Sequence, residues 1–90
     1  MQKNLAGKQA IITGANQGLG LEIARKFVDA GADVMLCARN KTMLDDAYVE
    51  LMLKASIGQK IVVQVADVSV ESDVCEVVEN TLALLGGCHI

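Results

Sequence analysis

Apolar and polar positions alternate in blocks along the chain, and each block has its own period. Residues 9–13 (QAIIT) form a short apolar run that ends in a glycine-rich segment, as a strand buried in a sheet would. Residues 18–30 then carry apolar side chains at Leu19, Ile23 and Phe27 and at Ala24 and Val28, a helical stripe closed by Gly31. Residues 33–38 (DVMLCA) read as a second strand. Residues 41–55 return to helical spacing at Leu44, Tyr48 and Met52 and at Met43, Ala47, Leu51 and Ala55, before Gly58 breaks the pattern. Residues 60–66 (KIVVQVA) are rich in β-branched residues and make a third strand. Ser69 is then placed to cap a helix with Glu71 and Asp73 in its first turn, where carboxylates favour the positive end of the helix dipole. Its apolar stripe is Val70, Val74, Val77, Val78, Leu82 and Leu85, and Gly86-Gly87 ends it.

The order β-α-β-α-β-α with short connections predicts an α/β fold, since parallel strands need crossover helices and those crossovers are right-handed. The expected architecture is a Rossmann-like, doubly wound parallel sheet, with strand order 3-2-1. Composition agrees. The 90 residues are 52% hydrophobic and 21% charged, too apolar for a disordered chain and suited to strands buried on both faces. The net charge of −3 and the lack of tryptophan, with one tyrosine and one phenylalanine, argue against a nucleic-acid partner. No apolar run approaches the ~20 residues that cross a bilayer, and the N-terminus lacks a signal-peptide core, so no membrane association and a cytoplasmic setting are expected. Cys37, Cys75 and Cys88 are odd in number and lack C-x-x-C spacing, which reads as reduced thiols. Cys88-His89 has no partner pair with which to hold a metal, so no metal site is expected.

The chemistry concentrates in Thr13-Gly14-Ala15-Asn16-Gln17-Gly18-Leu19-Gly20. Glycine is a costly residue in regular structure, yet three stand here within seven positions. A strand running into glycines that open a helix cradles a phosphate, because the unpaired amides and the dipole at a helix start favour an anion. Gly14 permits the tight turn, Gly18 leaves room for a pyrophosphate, and Gly20 allows close packing of the helix on the sheet. A ribose-binding acid belongs at the end of the second strand, about 20 residues on. Here that strand ends Cys37-Ala38-Arg39-Asn40, and Asp33 lies at its opposite end. Arg39 is either a solvated surface charge or a ligand for a 2′-phosphate, to which its planar fork is suited; the second role favours NADP(H) over NAD(H). Asp67 follows the third strand at the edge where parallel sheets bind ligands. It is either an acceptor for an adenine amino group or the turn residue that leads into the next helix.

Taken together, Thr13-Gly14-x-x-x-Gly18-x-Gly20, the Cys-Ala-Arg ending and Ala66-Asp67-Val68 resemble the N-terminal part of the short-chain dehydrogenase/reductase family over all 90 residues. The resemblance implies hydride transfer between NADP(H) and a carbonyl or alcohol substrate, with a homo-oligomeric complete form. It places the pyrophosphate on the glycine segment, lined by Asn16 and Leu19, and adenine against Asp67 and Val68. Ala38-Arg39 is similar to NADP-preferring members. Many of these carry a second basic residue where Gln17 stands, which leaves selectivity to Arg39 alone. No catalytic residue carries over: the family's Tyr-x-x-x-Lys has no counterpart, since Met52 stands four residues after Tyr48, the single tyrosine. Tyr48 is expected to pack. The strand order would also leave 10–12 as an unguarded edge. The expectation is therefore a cofactor-binding front of a longer enzyme over residues 1–90, or a chain that needs a partner to complete its sheet. The alternative is a stand-alone nucleotide-binding or regulatory module without catalysis. A non-redox doubly wound domain, such as a methyl-donor binder, is a third reading that Arg39 disfavours.

Overall fold

The computed structural model describes residues 5–87. Strands β1 (Gln9–Thr13), β2 (Asp33–Ala38) and β3 (Ile61–Val65) alternate with helices α1 (Gly18–Asp29), α2 (Lys41–Lys54) and α3 (Glu71–Leu85). The sheet is parallel in the order β1-β2-β3, with Ile11 opposite Met35 and Met35 opposite Val62. The expected order 3-2-1 and all six elements are present, each boundary within two residues of its expected place.

Strand alternation divides the apolar side chains between two faces. Ala10, Ile12, Val34, Leu36 and Ile61 meet Ala24 and Val28 of α1 and Leu44 and Leu51 of α2. On the other face Met35 and Cys37, with Ile11 and Val62 beside them, meet Val77 and Leu85 of α3. The central strand is buried from Val34 to Ala38, which is why its sequence is apolar without alternation. Tyr48 packs against the α1/α2 core, as expected.

Helix ends follow local chemistry. Asn40 caps α2 by accepting from the Met43 amide at 3.0 Å. Beyond α1, Gly31 takes the left-handed conformation (φ 96°) that closes a helix, and Gly86 does so after α3. Three expectations are corrected. Ser69 does not cap α3: the helix starts at Glu71, with Val70 at the cap position and no side-chain cap. Both the amide and the hydroxyl of Ser69 are instead drawn back to Asp67 Oδ1, at 2.9 and 2.6 Å. The apolar stripe of α3 is also rotated. Val77, Thr81 and Leu85 are buried, whereas Val70, Val74, Val78 and Leu82 are exposed. Thr81 tolerates its apolar setting by donating to the Val77 carbonyl at 2.7 Å. On α1, Leu19 and Ile23 are likewise exposed although the periodicity placed them on its stripe.

Gln59 fastens the opposite end of the layers. Its amide nitrogen donates to the carbonyls of Val28 and Ala32, at 2.9 and 2.6 Å, and its oxygen accepts from Ser56 N. Asp33 Oδ1 accepts from Lys60 N at 2.8 Å, so this acid ties β2 to β3 at the strand starts.

Candidate functional site

At the C-terminal edge of the sheet the chain leaves β1 and turns sharply into α1. Gly14 (φ 60°) and Gly18 (φ 57°) take left-handed conformations that other residues adopt at a cost. A side chain on either would meet open space, so these two positions are fixed by backbone geometry. Gly20 is fixed by contact. A Cβ there would fall on the Gly14 carbonyl oxygen and 2.6 Å from its carbon. The close approach is thus between α1 and the turn itself, where the sequence suggested helix against sheet. Ala15, fully buried, holds the turn to β2 through its amide and the Cys37 carbonyl at 3.4 Å. Gln17 stands at the N-cap of α1 without a side-chain cap, and no acid occupies the first turn. The first amides of α1 keep their affinity for an anion.

Gly14, Asn16 and Gln17 form one wall of an open cleft of about 510 Å³. Residues 37–40 with Met43 form the second wall, and residues 66–69 the third. Of the residues expected at a site, Gly14, Asn16, Gln17, Arg39, Asp67 and Val68 line this cleft together. Gly18, Leu19 and Gly20 lie outside its lining, at the start of α1. The pattern did not single out Asn40, Met43 and Ser69, which also line it. Their signal was position alone, one to four residues beyond a strand-end residue that it did single out.

Arg39 is exposed and has no hydrogen bond or ion pair among the described residues. Among the described residues, the Asp67 carboxylate is engaged through Oδ1, which accepts from Ser69. The Ser69 hydroxyl, then the Ser69 amide and the charge of Arg39, hold its carboxyl below the usual aspartate range. The backbone amide of Asp67 in turn donates to Asp73 Oδ2 at 2.9 Å. One cleft therefore offers a cationic fork at the end of β2 and a carboxylate at the end of β3, with the turn that leads from β1 into α1 as a further wall. Asn16 reaches Met43 Sδ only at 3.9 Å, a weak tie. Cys37, at the back of the cleft, is buried, and burial pushes its thiol up. It and the exposed Cys75 are free thiols, while Cys88 and His89 lie outside the described residues. Among the described residues no three His, Cys, Asp or Glu gather to hold a metal, and no helix is long and apolar enough to cross a membrane.

The short chain dehydrogenase family model matches residues 8–90. The chain belongs to the short-chain dehydrogenase family. It is 35% identical over 85 residues to a glucose 1-dehydrogenase of Gluconobacter oxydans, covering 94% of this chain and 31% of that one. Two solved structures are also similar. One is L-sorbose reductase of Gluconobacter frateurii complexed with NADPH and L-sorbose, with TM-score 0.86 and 35% identity over 98% of this chain and 33% of that one. The other is 3-ketoacyl-(acyl-carrier-protein) reductase of Brucella melitensis complexed with NADH, with TM-score 0.81 and 34% identity over 93% of this chain and 32% of that one. The chain spans between 18% and 31% of the length of curated relatives that it matches.

Proposed function

We propose that residues 1–90 are the N-terminal NADP(H)-binding part of a Rossmann-type oxidoreductase domain that moves a hydride between NADP(H) and a carbonyl or alcohol substrate. One observation carries the reading. The glycine turn, Arg39 and Asp67 converge on a single cleft at the C-terminal edge of a parallel sheet. The residues fit a dinucleotide. Gly18 and Gly20 leave the first amides of α1 clear for a pyrophosphate, with Asn16 and Leu19 beside it. Arg39, with no hydrogen bond or ion pair among the described residues, takes the ribose 2′-phosphate in a charge-assisted fork. Asp67 accepts from the adenine amino group through the oxygen that Ser69 leaves open, and the Val68 backbone lines the ring. Gln17 flanks the phosphates without adding charge.

The nicotinamide supplies or takes the hydride at its C4. In this reading the proton-transferring tyrosine and its lysine come from chain outside residues 1–90, since Tyr48 is packed in the α1/α2 core. Preference for NADP(H) rests on Arg39, because the one acid of β2, Asp33, is tied to Lys60 N at the far end of the strand. A cytoplasmic setting with reduced thiols belongs to the same reading.

Calorimetric titration of the 90-residue chain tests it. NADPH is expected to bind more tightly than NADH. Arg39→Ala is expected to weaken NADPH by about tenfold to a hundredfold, the worth of a lost charge-assisted contact, and to leave NADH within about twofold. Equal losses for both cofactors would remove Arg39 from the account, and no binding of either would overturn the function.

A further inference from the structure

Asp67 is half-buried just beyond β3, and most of its hydrogen-bonding groups are engaged within its own turn. Its amide donates to Asp73 Oδ2 at 2.9 Å, and its carbonyl accepts from the Val70 amide at 2.9 Å. Oδ1 accepts twice from Ser69, from the hydroxyl at 2.6 Å and from the amide at 2.9 Å. Oδ2 has no hydrogen-bond partner among the described residues. The turn is also pinned to the end of β2, where the Ala66 amide donates to the Ala38 carbonyl at 3.0 Å.

These bonds have two consequences. The terminal torsion of an aspartate is broad and two-fold, so a carboxylate without partners presents either oxygen. Two donors on Oδ1 remove that freedom and make the two oxygens distinct. The same bonds also withdraw donors from the cleft that Asp67 and Ser69 line. A serine hydroxyl with its proton free would donate to an oxygen on a ligand. Here that proton is held by Asp67, so the two side chains together accept from a ligand and do not donate to it.

We infer, on the reading above that Asp67 accepts from an adenine amino group, that Ser69 and Asp73 are positioning residues that make this subsite select a 6-aminopurine over a 6-oxopurine. Ser69 fixes the carboxylate and withholds its own proton. Asp73, half-buried in the first turn of α3, fixes the backbone from which that carboxylate projects. Both act through Asp67. An exocyclic amino group then brings a donor to Oδ2. An exocyclic oxygen in its place sets two acceptors against each other, which costs more than a contact merely lost.

Calorimetric titration of the 90-residue chain with NADPH and with its 6-oxo analogue, in which hypoxanthine replaces adenine, tests this. The intact chain is expected to bind NADPH at least about tenfold more tightly than the analogue. Ser69→Ala is expected to weaken NADPH by about threefold to tenfold and to leave the analogue within about twofold, so that discrimination narrows. Ser69→Thr keeps the hydroxyl and should restore it. Asp73→Ala should act in the same direction as Ser69→Ala, and Asp73→Asn, which keeps an acceptor for the Asp67 amide, should stay within about twofold of the intact chain. Retained binding of the analogue reports that the cleft is folded in each variant. An NMR titration of the free chain adds a reading that needs no nucleotide. The Asp67 carboxyl should titrate at higher pH in Ser69→Ala, because a bond that favours its charged form is gone. Equal affinity of the intact chain for both nucleotides, equal losses of both in Ser69→Ala, or an unmoved Asp67 titration would each overturn the inference and leave dinucleotide binding standing. Binding of neither nucleotide would overturn the dinucleotide reading and the inference with it.

Discussion

Gly20 is the position in the site with the least room for change, because its single hydrogen faces the backbone of Gly14 and Thr13. Gly20→Ala is expected to lift the turn off α1, costing about 1–3 kcal/mol as overpacking does, and to weaken NADPH as well. Gly18→Ala meets open space and strains only its own left-handed backbone, so its melting temperature should fall less. Thermal melts of the two variants distinguish contact from conformation; equal losses would mean that the clash at Gly20 is relieved without cost. The glycine spacing was legible as a turn into a helix, but not the partner of Gly20, because a distance between two loop backbones has no sequence pattern. Asp67 shows a different limit. Its two readings, ligand and turn, looked exclusive, yet Oδ1 organises Ser69 while Oδ2 has no hydrogen-bond partner among the described residues. Its carboxyl is held below the usual range, so it remains an acceptor down to mildly acidic pH. NADPH affinity should accordingly lose no Asp67-dependent part between about pH 6 and 8, and the affinity ratio of wild type to Asp67→Asn should stay constant over that range.

Helices α1 and α2 are joined at their surface by a two-toothed contact, Arg25 Nε and Nη2 donating to Glu50 at 2.6 and 3.0 Å. The pair holds Glu50 below the ordinary glutamate range. A folded-state value lower than the unfolded one means the contact stabilises above the unfolded value, about pH 4.3, and is lost as pH falls through the folded one. Wild type should therefore melt slightly above Glu50→Gln at pH 7, with the gap closing as pH falls through the lowered folded-state value. A gap that persists in acid would assign the effect to packing. No periodicity announces such a pair, since its members lie 25 residues apart. Helix α3 was misread for a related reason. Val70, Val74, Val77, Val78, Leu82 and Leu85 cover more than one face, so spacing alone does not choose the buried line, and the sheet selects Val77, Thr81 and Leu85. Ser69 is a good cap by type, but Asp67 two residues earlier competes for it and wins.

Across the molecule, element order and strand order were legible because each strand is a short apolar run bounded by glycine or a polar turn, and parallel crossovers leave few topologies. Which face each helix covers was not, for that depends on packing. The two faces are unequal. The α1/α2 side holds the larger core, closed at one end by the three hydrogen bonds of Gln59, while α3 rests on fewer buried contacts and keeps several valines exposed. Leu36→Ala, in the larger core, is expected to cost about 2–5 kcal/mol in urea unfolding, more than Val62→Ala on the α3 side. A smaller loss than at Val62 would reverse that ranking. The imbalance also sets which part opens first. Amides of α3 should exchange with deuterium before those of β2, because their local opening exposes less apolar surface. Cys37 lies under α3, in the layer that such an opening uncovers. Its thiol thus becomes a clock for the detachment of that one helix, reacting with a thiol reagent at the opening rate while the layer beneath α1 and α2 stays shut.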